Sequence, residues 1–135
     1  LKINKEFFGV ENPATANSLN GLATNLKLQG HYEKAQFLYL DLLRIMKKNK
    51  KTKSQNFATL LENLADIYCL EEKFKEAQPL FKESLEIMEE IYGVNDPKLI
   101  TTLETYAAVS RKLVQKGKAR ELEARAKKIR EMRDR

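Results

Sequence analysis

The sequence predicts an all-α repeat fold in which antiparallel helix pairs stack on one another, and three observations carry that expectation. The first is a fixed internal period of 42 residues. It carries Leu19 onto Leu61 and Leu103, Ala23 onto Ala65 and Ala107, and Ala35 onto Ala77 and Ala119, the mark of a repeat architecture. The second is the spacing of apolar residues by three and four within each period, the pattern of a buried helix face. The third is composition: 5 Gly, 3 Pro and no Trp, with 42% apolar and 33% charged side chains in 135 residues, suit long helices joined by few turns.

Residues 1–8, LKINKEFF, align with the later LEIMEEIY of Leu85–Tyr92, and both segments run into Gly-Val-x-x-Pro, at Gly9–Pro13 and Gly93–Pro97. Residues 1–8 are therefore expected to be the last turns of a preceding repeat's second helix, the chain being the C-terminal piece of a longer array. In the shared element, glycine ends one helix because it tolerates the left-handed conformation. Asn12 or Asp96 supplies a capping oxygen for the next helix. Pro13 or Pro97 takes the first helical position, where its missing N–H costs nothing.

Repeat 1 spans 12–48. Ala16, Leu19, Leu22, Ala23 and Leu26 mark the apolar face of its first helix, Gly30 ends that helix, and Tyr32, Ala35, Leu38, Tyr39, Leu42 and Ile45 mark the second. The run Lys47–Lys53 then reads as a solvated helix end and loop. Repeat 2 spans 54–92, with Ser54 as its cap. Its first helix aligns Leu61, Leu64, Ala65 and Tyr68, and its second aligns Phe74, Ala77, Leu80, Phe81, Ile87 and Met88. Pro79 falls in that second helix near its start, where a slight bend without a break is expected. Repeat 3 spans 96–133 and keeps Leu103, Tyr106, Ala107, Ala119, Leu122, Ala126 and Ile129 in register. It replaces large side chains with Lys116, Glu123 and Arg130, the polar substitution a terminal repeat needs to stay soluble. Gly117 is displaced relative to Gly30, which predicts a longer or shifted turn there. Together the repeats form one continuous domain, because a single unit buries too little apolar surface to offset its ordering entropy.

The spacings Leu22-Ala23…Gly30-x-Tyr32-x-x-Ala35…Tyr39 and Leu64-Ala65…Phe74-x-x-Ala77…Phe81 resemble the tetratricopeptide repeat. The 42-residue period resembles the subgroup found in kinesin light chains and related bacterial proteins. The resemblance covers essentially the whole chain and implies a right-handed α-solenoid whose first helices line a groove. The closing Ala119–Ala126 is similar to the last helix of many such arrays. Members that clamp a partner's C-terminal carboxylate do so with Lys and Asn on the first helices. Here the matching positions are Asn20, Thr24, Glu62, Asn63, Asp66, Glu104 and Ala108, without a lysine, so that clamp is not expected. Asn63 matches the Asn that kinesin-light-chain-like members carry before Leu-Ala, whereas Gly21 and Thr105 do not.

Helical spacing then places the groove candidates: Asn17, Asn20, Thr24 and Lys27 from repeat 1, Thr59, Glu62, Asn63 and Asp66 from repeat 2, and Thr101, Glu104, Thr105 and Arg111 from repeat 3. A row of amides, hydroxyls and charges suits an extended peptide or a partner helix, so the expected function is a protein-interaction scaffold. The acidic Glu62 and Asp66 would favour a ligand with at least one basic residue.

The net charge of +6 points to nucleic acid only if it is continuous. Residues 1–53 carry a net +6, residues 54–96 a net −7 and residues 97–135 a net +7, so an acidic centre interrupts the basic stripe such partners require. Nucleic-acid or acidic-partner binding through Lys47–Lys53 and the basic last helix is the alternative, with a purely structural part in a larger protein as the third reading. An enzyme is not expected. His31, the only histidine, falls in a turn, and Cys69, the only cysteine, has neither a histidine partner nor metal-ligand spacing. The i, i+4 pair Glu62 and Asp66 is an ordinary acidic helix face, and no glycine-rich phosphate loop occurs. No cofactor or metal is expected, and no apolar run is long enough to span a bilayer. The single cysteine fits a reducing, cytoplasmic setting.

Overall fold

The computed structural model describes residues 13–135, with side chains from residue 18 onward; the helix end expected at residues 1–8 lies outside this range. Every regular element in it is a helix: α1 (Pro13–Leu28), α2 (Tyr32–Lys48), α3 (Gln55–Leu70), α4 (Phe74–Tyr92), α5 (Leu99–Lys112) and α6 (Lys116–Arg133). They fall into two compact units, one with α1 and α2, ending at Thr52, and one of residues 53–135 with α3 to α6. In the first unit α1 packs on α2. In the second, α3 packs on α4, α4 on α5, and α5 on α6.

The helices of a pair are joined by the same three-residue reversal each time, and its hydrogen bonds explain the tightness. After α1 the His31 N–H donates to the Leu26 carbonyl at 2.8 Å and the Gly30 N–H to that of Lys27 at 3.0 Å. After α3 the Lys73 and Glu72 amides donate to Tyr68 and Cys69, and after α5 those of Gln115 and Val114 donate to Ser110 and Arg111. This crossed pair of bonds satisfies the last carbonyls of a helix only if the middle residue turns left-handed. Gly30 (φ 85°), Glu72 (φ 59°) and Val114 (φ 63°) do so, one period apart. The longer or shifted turn expected around Gly117 is therefore corrected: Gly117 is the second residue of α6, and Val114 takes the turn despite its branched side chain.

The helix starts also follow local chemistry. Ser54 is extended (φ −132°, ψ 159°) and its Oγ accepts the Phe57 N–H at 3.2 Å, capping α3. Gly93 leaves α4 at φ 89°, ψ 162°, a conformation nearly exclusive to glycine. Asp96 Oδ1 then accepts the Lys98 N–H at 2.8 Å, and tight turns from Asp96 and Pro97 lead into α5 at Leu99. Pro97 thus stands two residues before the helix proper and not at its first position. Pro79 removes the N–H that would meet the Lys75 carbonyl, yet α4 runs unbroken through it.

The core is built on small residues at the helix crossings. Ala23, Ala35, Ala65, Ala77, Ala107 and Ala119 are at most 1% exposed. Larger side chains fill the space around them: Leu38, Tyr39 and Leu42 on α2, Phe57, Leu61 and Leu64 on α3, Phe81 on α4, and Leu99, Leu103 and Leu122 beyond. The Tyr39 hydroxyl, wholly enclosed, meets Thr24 Oγ1 at 2.7 Å, as a buried phenol must. Leu22 departs from expectation: its counterparts Leu64 and Tyr106 are buried, whereas Leu22 is 44% exposed.

One polar contact crosses three helices of the second unit. Ser84 of α4 and Thr102 of α5, both buried, donate to the same Glu62 oxygen of α3 at 2.5 and 2.8 Å. Glu62→Ala leaves both hydroxyls without an acceptor and is expected to cost about 2 kcal/mol; Glu62→Gln, which keeps an acceptor, loses less in the same denaturant titration. Ala77→Glu forces a charge into a fully packed crossing, and a thermal melt should show a loss of at least about 3 kcal/mol. Val114→Gly releases a branched residue from the left-handed turn and should raise the melting temperature, by about 1 kcal/mol of stability after glycine's entropy cost.

Candidate interaction face of the first helices

The expected binding residues lie on the first helix of each pair, and the structure separates those that face outward from those engaged inside the packing. On α3, Thr59 is exposed and Asn63 and Asp66 are half-buried; on α5, Thr101 is exposed and Thr105 is half-buried. These sit at one repeat spacing from one another. The Glu62–Thr102 bond links α3 to α5, and the two sets correspond position by position one period apart in the sequence. Thr105 Oγ1 turns back onto the Thr101 carbonyl at 2.9 Å. Ala108 and Leu70, both exposed, extend the rows, and their apolar character gave no binding signal in the sequence.

Glu62, Glu104 and Arg111, all expected groove residues, make side-chain contacts across helices. Glu62 is the acceptor for Ser84 and Thr102. Glu104 meets Arg130 of α6 through both carboxylate oxygens, with Nη2 to Oε1 at 2.9 Å. Arg111 forms a forked pair with Glu123 of α6 at 2.9 and 2.5 Å, and this hydrogen bonding holds the Glu123 carboxyl below the usual carboxylate range. A ligand on the rows would have to break these contacts to use the three charges. The physical reason is geometric: positions 62 and 104 correspond, and both reach a helix that follows in the chain.

In the first unit Thr24 also serves the packing, donating to the Asn20 carbonyl at 2.9 Å while it meets Tyr39. Asn20 is half-buried, and its Oδ1 is shielded from solvent without a hydrogen-bond partner among the described residues. Lys27 is half-buried. The side chain of Asn17 lies outside the described residues.

No group of three His, Cys, Asp or Glu residues able to hold a metal ion occurs among the described residues. Burial, aided by the nearby Asp66 carboxylate, pushes the Cys69 thiol up, which keeps it protonated and unreactive at neutral pH. His31 is exposed in its turn. Within the Lys47–Lys53 run, Lys47, Lys48, Lys50, Lys51 and Lys53 are exposed and Lys53 pairs with Glu90 at 3.8 Å. No described helix is long and apolar enough to cross a membrane.

Comparison with known proteins agrees with this architecture. The family profile described as Tetratricopeptide repeat matches residues 56–132. Among solved structures, BtubC (BKLC) from P. vanneervenii is similar with a TM-score of 0.85 and 26% identity, over 96% of this chain and 52% of that one. The nearly identical TPR-like repeats of a Podosopora anserina protein assigned to the kinesin light chains are similar with a TM-score of 0.76 and 20% identity, over 93% of this chain and 60% of that one. A single-substitution variant of the same repeats gives 0.77 and 19%, over 93% and 59%. The chain thus spans little more than half the length of the structures it matches. A search of curated proteins found no match. The chain belongs to the tetratricopeptide repeat family, and its structural neighbours are of the kinesin-light-chain-like kind.

Proposed function

We propose that the chain is a protein-interaction scaffold that holds an extended peptide or a partner helix along the paired rows of α3 and α5. Repeats of this family generally act as interaction scaffolds. The observation that carries the reading is the register of the rows. Thr59, Asn63 and Asp66 of α3 correspond, one period on, to Thr101, Thr105 and Ala108 of α5. That alternation of hydroxyl, amide, carboxylate and methyl groups offers hydrogen bonds to a backbone and shallow apolar seats to its side chains. The candidate residues of α3 include the carboxylates Glu62 and Asp66, and residues 54–96 around them carry a net −7. The charge preference is therefore toward a ligand with a basic residue.

A peptide library screened against the intact chain tests this. Selected sequences should be enriched in Lys or Arg. The double variant Asn63→Ala with Asp66→Ala should bind them about tenfold more weakly, while its helical circular dichroism and melting temperature stay close to those of the parent. Undiminished binding by a folded double variant would remove α3 from the site.

A further inference from the structure

On the second helices, away from the proposed peptide rows, the second unit carries an open cleft of about 550 Å³, and its lining does not serve the packing alone. Lys75, Gln78, Pro79 and Lys82 of α4 form one wall, Gln115 and Lys118 at the start of α6 the other, with Tyr106 and Leu113 at the base. No acidic residue lines it. Lys75, Lys82 and Lys118 are exposed, and no carboxylate among the described residues lies within ion-pair distance of them. The Lys118 ammonium sits 5.7 Å from the centre of the Tyr106 ring, so its stem is held over the base of the cleft.

The walls are held in place by hydrogen bonds. Gln78 Nε2 donates to Ser110 Oγ at 3.2 Å and to Gln115 Oε1 at 2.8 Å, and Ser110 Oγ donates to the Tyr106 carbonyl at 2.9 Å. This ties α4, α5 and the start of α6 together. With its oxygen taken up, Gln115 has its amide N–H groups left to donate. The carboxylates that bear on the buried Tyr106 phenol, Glu86 and Glu121, belong one helical turn further along α4 and α6 and are not part of the lining.

The type of cation matters. Where this unit binds a carboxylate across helices it does so with a guanidinium: Arg111 on Glu123, Arg125 on Glu89 and Arg130 on Glu104. The cleft has lysines alone. An ammonium on a flexible stem is a compact point charge without a fixed fork, and it can take phosphoryl oxygens without demanding a planar two-point approach. The volume lies within the range of small-molecule pockets, several times that of one phosphate. We infer that this cleft is a binding site for a small polyphosphate anion, held by Lys75, Lys82 and Lys118 with the Gln115 amide as a neutral donor. The inference is independent of the peptide rows on α3 and α5.

Titration calorimetry of the intact chain with inorganic tripolyphosphate at low ionic strength tests it, with citrate as a carboxylate anion of comparable charge. Tripolyphosphate should bind, citrate should bind more weakly, and the Gln115 side-chain amide resonances should shift on addition of tripolyphosphate. The triple variant Lys75→Gln, Lys82→Gln, Lys118→Gln should lose about tenfold or more in affinity. A control with the same loss of charge on exposed lysines elsewhere, Lys34→Gln, Lys127→Gln, Lys128→Gln, should not. All three substituted sites are exposed in both variants, and matching melting temperatures will show that both are folded. Equal losses in the two variants, citrate binding as tightly as tripolyphosphate, or no binding by the parent would each overturn the site.

Discussion

Six alanines set the spacing on which everything else depends. In each helix pair two methyl groups, at 23 and 35, 65 and 77, and 107 and 119, are closed off from solvent. A packed interior has no room for more at such a crossing. With the axes held close, a link of three residues is long enough to join the helices, and the left-handed residue in each link follows from that shortness. Val114 shows the strength of the constraint. A β-branched residue avoids that conformation, yet it adopts it at φ 63° because α5 and α6 must meet at the same distance as the other pairs. Local propensity yields here to the tertiary contact.

The same repeat position is used in three chemical ways. Asn20 keeps a shielded oxygen without a partner among the described residues, Glu62 gathers two hydroxyls, and Glu104 pairs with an arginine of its own second helix. The position looks toward neighbouring helices, so its side chain is judged by what those helices offer. At Glu62 the two donors are buried serine and threonine, and a charge-assisted bond to each is worth more than a bond between neutral groups. The contact also specifies which helices lie together, since a slip of one residue in α5 would carry Thr102 off the carboxylate. Apolar burial tolerates such slips more readily than a shared acceptor does.

The helix pairs and most of their boundaries were legible in the sequence because period, glycine, serine and alanine each have a local physical meaning. The turn after α5 was not. Its left-handed residue is a valine, and the visible signal, Gly117, belongs to the helix that follows. The site was legible only in part. Spacing puts the candidates Thr59, Asn63, Asp66 and Thr101 on the first helices of their pairs, but cannot tell whether a charge is spent on a partner remote in sequence. Glu123 lies 12 residues from Arg111, Arg130 lies 26 from Glu104, and Thr102 lies 40 from Glu62. No periodicity reports such pairings, which only the packed structure brings together.

These pairings also change what the basic composition means. Arg44, Arg111, Arg125, Arg130 and Arg133 are each engaged with a carboxylate. Three of them, Arg111, Arg125 and Arg130, join separate helices of the second unit. A guanidinium fixed in a fork is poorly placed to follow a ligand, and in surface pairs it contributes geometry more than stability. The positive charge that a ligand meets is therefore mainly lysine charge on flexible stems, and it is concentrated where carboxylates are missing from the lining. A formal net charge of +6 says nothing of this division. Three arginines hold helices of the second unit to one another, the lysine pairs Lys53–Glu90, Lys73–Glu71 and Lys98–Asp96 are longer, at 3.7 to 3.9 Å, and the electrostatic character of this unit depends on that difference as well as on the sum.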